Sequence, residues 1–194
     1  MIEVDACKIK NFTGNVINLG NNIPSEEFLR MMNPNPANVH KFEYGDGLLR
    51  LNGETIPSEE IRHPTTLDED NIPSIMVIKC GVATGVTVGR ANNILSWTRH
   101  YHRDKPGKKS KEWIIFPSDS SGVSGPFADH GDSGAVVVDG RGRIGGLLTG
   151  GAHGTNTFPD YACVTPIDFI LGSMKDNGIL NPTIIPGQIP SFTP

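Results

Sequence analysis

From residue 73 onward the chain breaks into short β-branched runs separated by Gly, Asp and Pro, and this spacing constrains the fold more than any other feature. Six runs follow in order: Ser74 to Cys80, Gly85 to Ile94, Glu112 to Pro117, Gly134 to Asp139, Arg143 to Thr149 and Tyr161 to Val164. Runs of this length bounded by turn formers belong to antiparallel barrels and sandwiches. Asp139-Gly140-Arg141-Gly142 joins the fourth run to the fifth and carries the Asp-Gly hairpin signal. With 23 glycines and 15 prolines among 194 residues, the composition excludes a coiled coil or a mostly helical bundle. Thr165-Pro166-Ile167-Asp168 then predicts a C-terminal helix through Phe169, Ile170 and Leu171, capped by the threonine with proline at its first position.

The first part of the chain reads differently. One strand-like run, Ile2 to Lys8, precedes a stretch of irregular polarity rich in Asn, Pro and Glu that does not look like a self-contained core. Pro24-Ser25-Glu26-Glu27, followed by Phe28, Leu29 and Met31, predicts a short helix with Ser25 as cap and two carboxylates facing the positive end of its dipole. Met32-Asn33-Pro34 stops it. The pentapeptide Ile-Pro-Ser-Glu-Glu recurs at Ile23 to Glu27 and at Ile56 to Glu60, which reads as a reused helix start and not as a structural repeat. The expected organisation is residues 1–72 as strand, short helix and loops, 73–171 as the barrel, and 172–194 as an extension ending in a proline-rich tail.

A formal charge of −4, from 21 acids against 17 bases, gives no global attraction to nucleic acid or to an anionic membrane. Any basic patch must be local. Arg99 to Lys111 is the candidate, with six Arg or Lys against one Asp, and reads either as a solvated hairpin or as a contact for an acidic partner or nucleic acid. No apolar run is long enough to cross a membrane, and the amino terminus lacks signal-peptide features, so the expectation is a chain that is not exported, cytoplasmic or of unknown location. Cys7, Cys80 and Cys163, odd in number and widely spaced, read as free thiols. His100 and His102 lack the neighbours of a ligand set, so neither metal nor cofactor is expected.

Phe127-Ala128-Asp129-His130-Gly131-Asp132-Ser133-Gly134 is the stretch richest in chemistry. Gly131-Asp132-Ser133-Gly134 stands where an apolar strand begins, and a tight turn there can lift a serine hydroxyl from the sheet and aim successive backbone N–H groups at one point, an arrangement suited to a developing oxyanion. The plain alternative is a glycine-flanked turn joining two strands.

Downstream, Arg143-Ile144-Gly145-Gly146-Leu147-Leu148-Thr149-Gly150-Gly151 is a strand ending in small residues, and upstream Cys80 to Gly89 is a Gly-punctuated hairpin. In this order the region 73–171 resembles the carboxy-terminal barrel of trypsin-like, chymotrypsin-fold serine proteases; Thr84 to Asn92 and Gly142 to Gly151 look like trypsin-fold proteins predicted in fungi. The fold this implies is mainly β, a six-stranded antiparallel barrel with an incomplete amino-terminal half and a C-terminal helix. The resemblance makes Ser133 the nucleophile, gives the oxyanion hole to the N–H groups of Gly131 and Ser133, and leaves Asp132 structural. Thr149, Gly150 and Gly151 become the edge on which an extended substrate pairs, and Phe127 takes the position of the pocket base, without an acid to hold a basic side chain. His153, near the pocket wall, could favour acidic substrates.

The resemblance also implies a histidine and an aspartate in a first barrel, and no matching segment occurs. Met1-Ile2-Glu3-Val4-Asp5 looks like the tail of the strand that follows the family's aspartate, so base and acid are expected to lie outside the chain. His130 reads as a rim residue, and His40 or His63 could reach Ser133 only in an arrangement foreign to the family. The expected function is a serine endopeptidase-like protein, inactive or very weak alone, that cleaves if a complementing chain supplies His and Asp. The alternative is a non-catalytic peptide- or protein-binding module using the former groove. An apolar face left by the absent barrel would favour a homodimer.

Overall fold

The computed structural model describes residues 14–20, 23–38, 42, 46–102, 105–118, 125–154, 160–179, 182 and 184. The expected strand at Ile2 to Lys8, together with Cys7, His40 and the end of the proline-rich tail, lies outside these residues. The elements in chain order are β1 (Val16–Asn18), α1 (Ser25–Met32), β2 (Leu48–Arg50), α2 (Ser58–Arg62), β3 (Ile75–Gly81), β4 (Gly85–His102), β5 (Lys105–Pro117), β6 (Val136–Asp139), β7 (Ile144–Ala152), β8 (Tyr161–Pro166) and α3 (Ile167–Asp176).

β3 to β8 close into a six-stranded antiparallel barrel in the order β3-β4-β5-β8-β7-β6, and the chain is mainly β with a C-terminal helix, as expected. β4 and β5 are longer than the sequence reading. The run from Leu95 to Lys111 is mostly polar and charged, so no sustained apolar alternation betrays it as strand.

Strand alternation sorts the core into two layers. Along β3, Ile75 and Val77 face the barrel interior with Ala91, Trp113, Ile115, Val137, Leu148 and Val164, while Met76 and Ile78 face outward. The outward face is covered by the first part of the chain, since Ile17, Leu19, Phe28, Met32 and Leu49 pack there with Val88, Val138 and Ile144. Burial on both faces explains why β3 reads as a continuous apolar run.

Residues 54–62 close one end of the barrel. Thr55 bridges Ile144 in parallel, with Ile56 N–H donating to the Ile144 carbonyl at 2.9 Å and Ile144 N–H to the Glu54 carbonyl at 2.8 Å. Ile56 and Ile61 thereby join Trp113 in the interior core. Glu60 fastens α2 to the β6–β7 hairpin by accepting from Arg141 at 2.9 Å and from both terminal nitrogens of Arg143 at 2.7 and 2.6 Å. Gly142, at φ 77°, lies against the Arg50 carbonyl with no room for a side chain.

All three helices begin after a proline at the N-cap: Pro24, Pro57 and Pro166, with φ of −58°, −59° and −59°. None has a side-chain cap hydrogen bond, so the expected caps Ser25 and Thr165 do not act as such. The fixed φ of proline sets the turn in advance, and its lack of an N–H leaves one donor fewer to satisfy. The recurring pentapeptide does build two equivalent starts. In each, the isoleucine before the proline shares a core cluster with the residue one turn into the helix, Ile23 with Phe28 and Ile56 with Ile61, in the manner of a hydrophobic staple.

Candidate active site at the Ser133 turn

The turn before β6 is shaped by two glycines and one carboxylate. Gly131 and Gly134 adopt φ of 105° and 91°, a region that L side chains avoid. Asp132 N–H donates to the Asp129 carbonyl at 3.1 Å, Ala135 N–H to the Asp132 carbonyl at 3.0 Å, and Gly134 N–H crosses to the Leu148 carbonyl at 2.8 Å. Between these bonded amides, the N–H groups of Gly131 and Ser133 donate to no acceptor among the described residues. Ser133 itself is exposed.

Asp132 points the other way, into the protein, and is buried. Its Oδ1 accepts from Ala83 N–H at 2.7 Å and Thr84 N–H at 3.3 Å; its Oδ2 accepts from Thr84 Oγ1 at 2.7 Å, Lys79 Nζ at 3.1 Å and Asp129 N–H at 3.2 Å. Burial alone would raise its carboxyl, but the bonds from Thr84, Ala83, Asp129 and Lys79 outweigh this and hold it well below the usual carboxylate range. Lys79, two residues on from Val77 and on the same inward face, also donates to Thr84 Oγ1 and to the Gly85 carbonyl at 3.1 Å, and its Nζ lies 5.8 Å from the centre of the Phe127 ring. The β3–β4 hairpin and the Ser133 turn are therefore joined through one buried carboxylate. Gly81 permits this, because a Cβ there would collide with the Asp132 side chain.

Beside Ser133 is a pocket of about 230 Å³ lined by Ala128 to His130 and by β7 from Leu148 through His153. Thr149, Gly150 and Gly151 are thus brought to Ser133. Phe127 is not: it lies in the interior core beneath the pocket, where its carbonyl accepts from Thr87 Oγ1 at 2.6 Å. On its β6 side β7 is held through Leu147 and Leu148, and beyond them the backbone of Gly150 to Ala152 pairs only with β8 among the described residues, which leaves one strand edge open at the pocket. Thr149 Oγ1 turns away from this edge, to the Cys163 carbonyl at 3.2 Å.

His130 and His153 share the pocket wall, their ring centres 6.2 Å apart. His153 Nε2 is 3.2 Å from Asp129 Oδ1, and its Nδ1 3.7 Å from Asp160 Oδ1, so the ring sits between two carboxylates. That environment is ill suited to an acidic substrate side chain. His63 lies on the surface, 3.5 Å from Glu59. Ser133 Oγ is hydrogen-bonded to no imidazole among the described residues.

No family model and no curated protein matches the chain. Among solved structures, a Cellulomonas bogoriensis chymotrypsin aligns at 18% identity and a TM-score of 0.43, over 67% of this chain and 55% of that one. A Nocardiopsis protease aligns at 18% identity and a TM-score of 0.42, over 68% and 55%, and an inactive mutant form of a Mycobacterium tuberculosis H37Rv protein at 17% and 0.38, over 57% and 50%. The chain spans about half the length of these structures.

Sequence reasoning missed Lys79, Thr84 and Ala83. A lysine closing an apolar run reads as the strand's exit into solvent, and its partner stands 53 residues later. One signal was available: in Ile75-Met76-Val77-Ile78-Lys79, the alternation that puts Val77 inside also puts Lys79 inside.

Proposed function

We propose that the chain is a serine endopeptidase-like module in which Ser133 is the nucleophile and the Gly131 and Ser133 amides receive the oxyanion. The observation that carries this reading is the pair of undonated amides flanking an exposed serine, held by a buried Asp132 beside an open strand edge. A substrate laid along Thr149 to Gly151 as an added strand presents its carbonyl to Ser133 Oγ. Attack forms the Oγ–C bond as the hydroxyl proton passes to a base, and the carbonyl oxygen gains its negative charge facing the two amides. The base then protonates the departing amine as the C–N bond breaks, and water releases the acyl group.

The base and its orienting acid are assigned to a complementing chain, because the His153 ring sits between the Asp129 and Asp160 carboxylates, the His130 ring lies beside it, and neither is hydrogen-bonded to the serine among the described residues. Serine without a base is a weak nucleophile, so the chain alone is read as inactive or nearly so. The same observation favours a second reading, in which the open β7 edge captures extended peptides without cleaving them.

The test is labelling with a fluorophosphonate probe, with Ser133→Ala and heat-denatured chain as controls. Labelling lost in the alanine variant supports an activated serine. No labelling of folded chain, together with saturable binding of an extended peptide, supports capture.

A further inference from the structure

β3 holds β4 only from Gly85 to Ala91 and β8 holds β5 only from Trp113 to Ile115, so from Ser96 and Glu112 outward the two strands form a ribbon that pairs with no other strand among the described residues. Cross-strand partners share a face, and the two faces of this ribbon differ. On one, Ser96, Thr98 and Ser110 are half-buried and Glu112 is buried; Thr98 Oγ1 and Ser110 Oγ are hydrogen-bonded at 2.7 Å, and Glu112 accepts from Thr165 Oγ1 at 2.8 Å. That face is turned toward the chain. The other carries Trp97 opposite Lys111 and Arg99 opposite Lys109, all four exposed.

Folding alone does not account for this exposed face. Trp97 is 70% exposed, whereas Trp113, the other tryptophan of the chain, is fully buried. Lys111 Nζ lies over the Trp97 ring, 5.8 Å from its centre, and neither Lys109 nor Lys111 forms an ion pair among the described residues. Arg99 is engaged within the chain, its Nε donating to the Gly107 carbonyl at 3.3 Å, yet it still stands opposite Lys109, and like charges directly opposite weaken a strand pair. Residues 99–111 carry six Arg or Lys against one Asp, a formal +5. Like charges kept together around an uncovered aromatic ring cost the ribbon stability and suit a ligand that is both anionic and aromatic.

We infer that this face binds single-stranded nucleic acid, a base stacking on Trp97 while Lys109 and Lys111, about 7 Å apart along β5, neutralise the neighbouring phosphates. An acidic polypeptide meets the cations but offers no flat ring to Trp97, and a duplex holds its bases in its own stack. The chain outside residues 99–111 carries −9. Carboxylates more than about 8 Å from the bound strand are largely screened at physiological salt, so the acidic remainder limits the affinity and favours a short, flexible strand held on one face. Recognition by charge and stacking is tolerant of base sequence. None of these side chains lines the Ser133 pocket, so the inference stands apart from the proposed function.

Fluorescence titration of the full chain with oligothymidylate and with oligouridylate tests it. Because Trp113 is buried, the expected result is a saturable quench arising from Trp97. Each phosphate neutralised on a single strand contributes about −0.7 to the slope of log affinity against log salt, so with about three engaged the affinity falls at least about tenfold between about 0.05 and 0.2 M salt. Trp97→Phe keeps an aromatic face: binding of a labelled strand, read by anisotropy, stays within about threefold while the quench disappears. Trp97→Ala weakens binding at least about fivefold. Lys109→Glu with Lys111→Glu weakens it at least about tenfold and flattens the salt dependence. All three variants keep the parent's melting temperature, since the altered side chains are exposed. Ser133→Ala binds as the parent does. No binding at low salt, binding without a quench, or Trp97→Ala binding as tightly as the parent overturns the inference. Tighter binding of polyglutamate overturns it in favour of an acidic polypeptide, and tighter binding of phosphatidylserine vesicles in favour of an anionic membrane.

Discussion

Lys79 Nζ stands 3.1 Å from Asp132 Oδ2, and neither side chain is exposed to solvent. The residue next to the candidate nucleophile is thus fixed from inside the barrel. The turn that carries Ser133 is tied through Asp132 to a cation buried inside the barrel.

Lys79→Met leaves Asp132 as a buried charge without its counterion. Breaking such a pair costs about 3–5 kcal/mol, and the expected result is a urea midpoint lowered accordingly, with loss of whatever fluorophosphonate labelling the parent chain shows. The double variant Lys79→Met with Asp132→Asn removes both charges and is expected to recover part of the stability. A single variant as stable as the parent would show that the pair does not hold the turn.

Asp132 also sets the acid limb of the stability curve. Its carboxyl titrates near 3.9 in an unfolded chain and lower in the folded one. Its contribution is therefore present above about pH 4 and is lost as pH falls from there toward the depressed folded value. Chemical unfolding followed from about pH 7 down to pH 2 is expected to show that decline. Asp132→Asn should start weaker at neutral pH and lack this part of the slope.

The two cysteines within the described residues should separate by reactivity. Burial, aided by the Glu112 carboxylate, pushes the Cys163 thiol up to about 11, whereas Cys80 is exposed. Since the thiolate is the reactive form, a maleimide at about pH 8 is expected to modify Cys80 in the native chain and Cys163 only after unfolding, as read by mass spectrometry of the digested protein. Because unfolded Cys163 ionises first, its contribution to stability is expected to fade as pH rises from about 9 toward 11.

The barrel was legible in the sequence because its strands are short, apolar and punctuated, and because Asp139-Gly140 marks a hairpin whose closing bonds the structure contains: Asp139 N–H to the Arg143 carbonyl and Gly142 N–H to the Asp139 carbonyl, each 3.0 Å. β4 beyond Leu95 and the start of β5 were not, since that run holds too few apolar residues to display the alternation the fold gives it, with Ser96, Thr98 and Ser110 half-buried and Trp97, Arg99, Lys109 and Lys111 exposed. β1 and β2, three residues each, owe their existence to pairing with one another and to the core beneath Leu49, not to local preference. The tight turn at Gly131 to Gly134 was legible through its two glycines, both at positive φ. That Phe127 belongs to the interior core and not to the pocket lining was not legible, because its spacing from Ser133 does not reveal whether the ring turns into the core. Lys79 went unread because its partner is remote in the chain.

Ile56 and Ile61 occupy the barrel interior beside Trp113, and Thr55 is bridged to Ile144. A polypeptide emerging in order makes these residues long before it makes the strands that receive them. They must wait, and the wait is entropic: a long loop has to close before any of those contacts can repay it. Folding of this chain is thus expected to be late and concerted, with the Ser133 turn and the far end of the barrel acquiring their shape in one step.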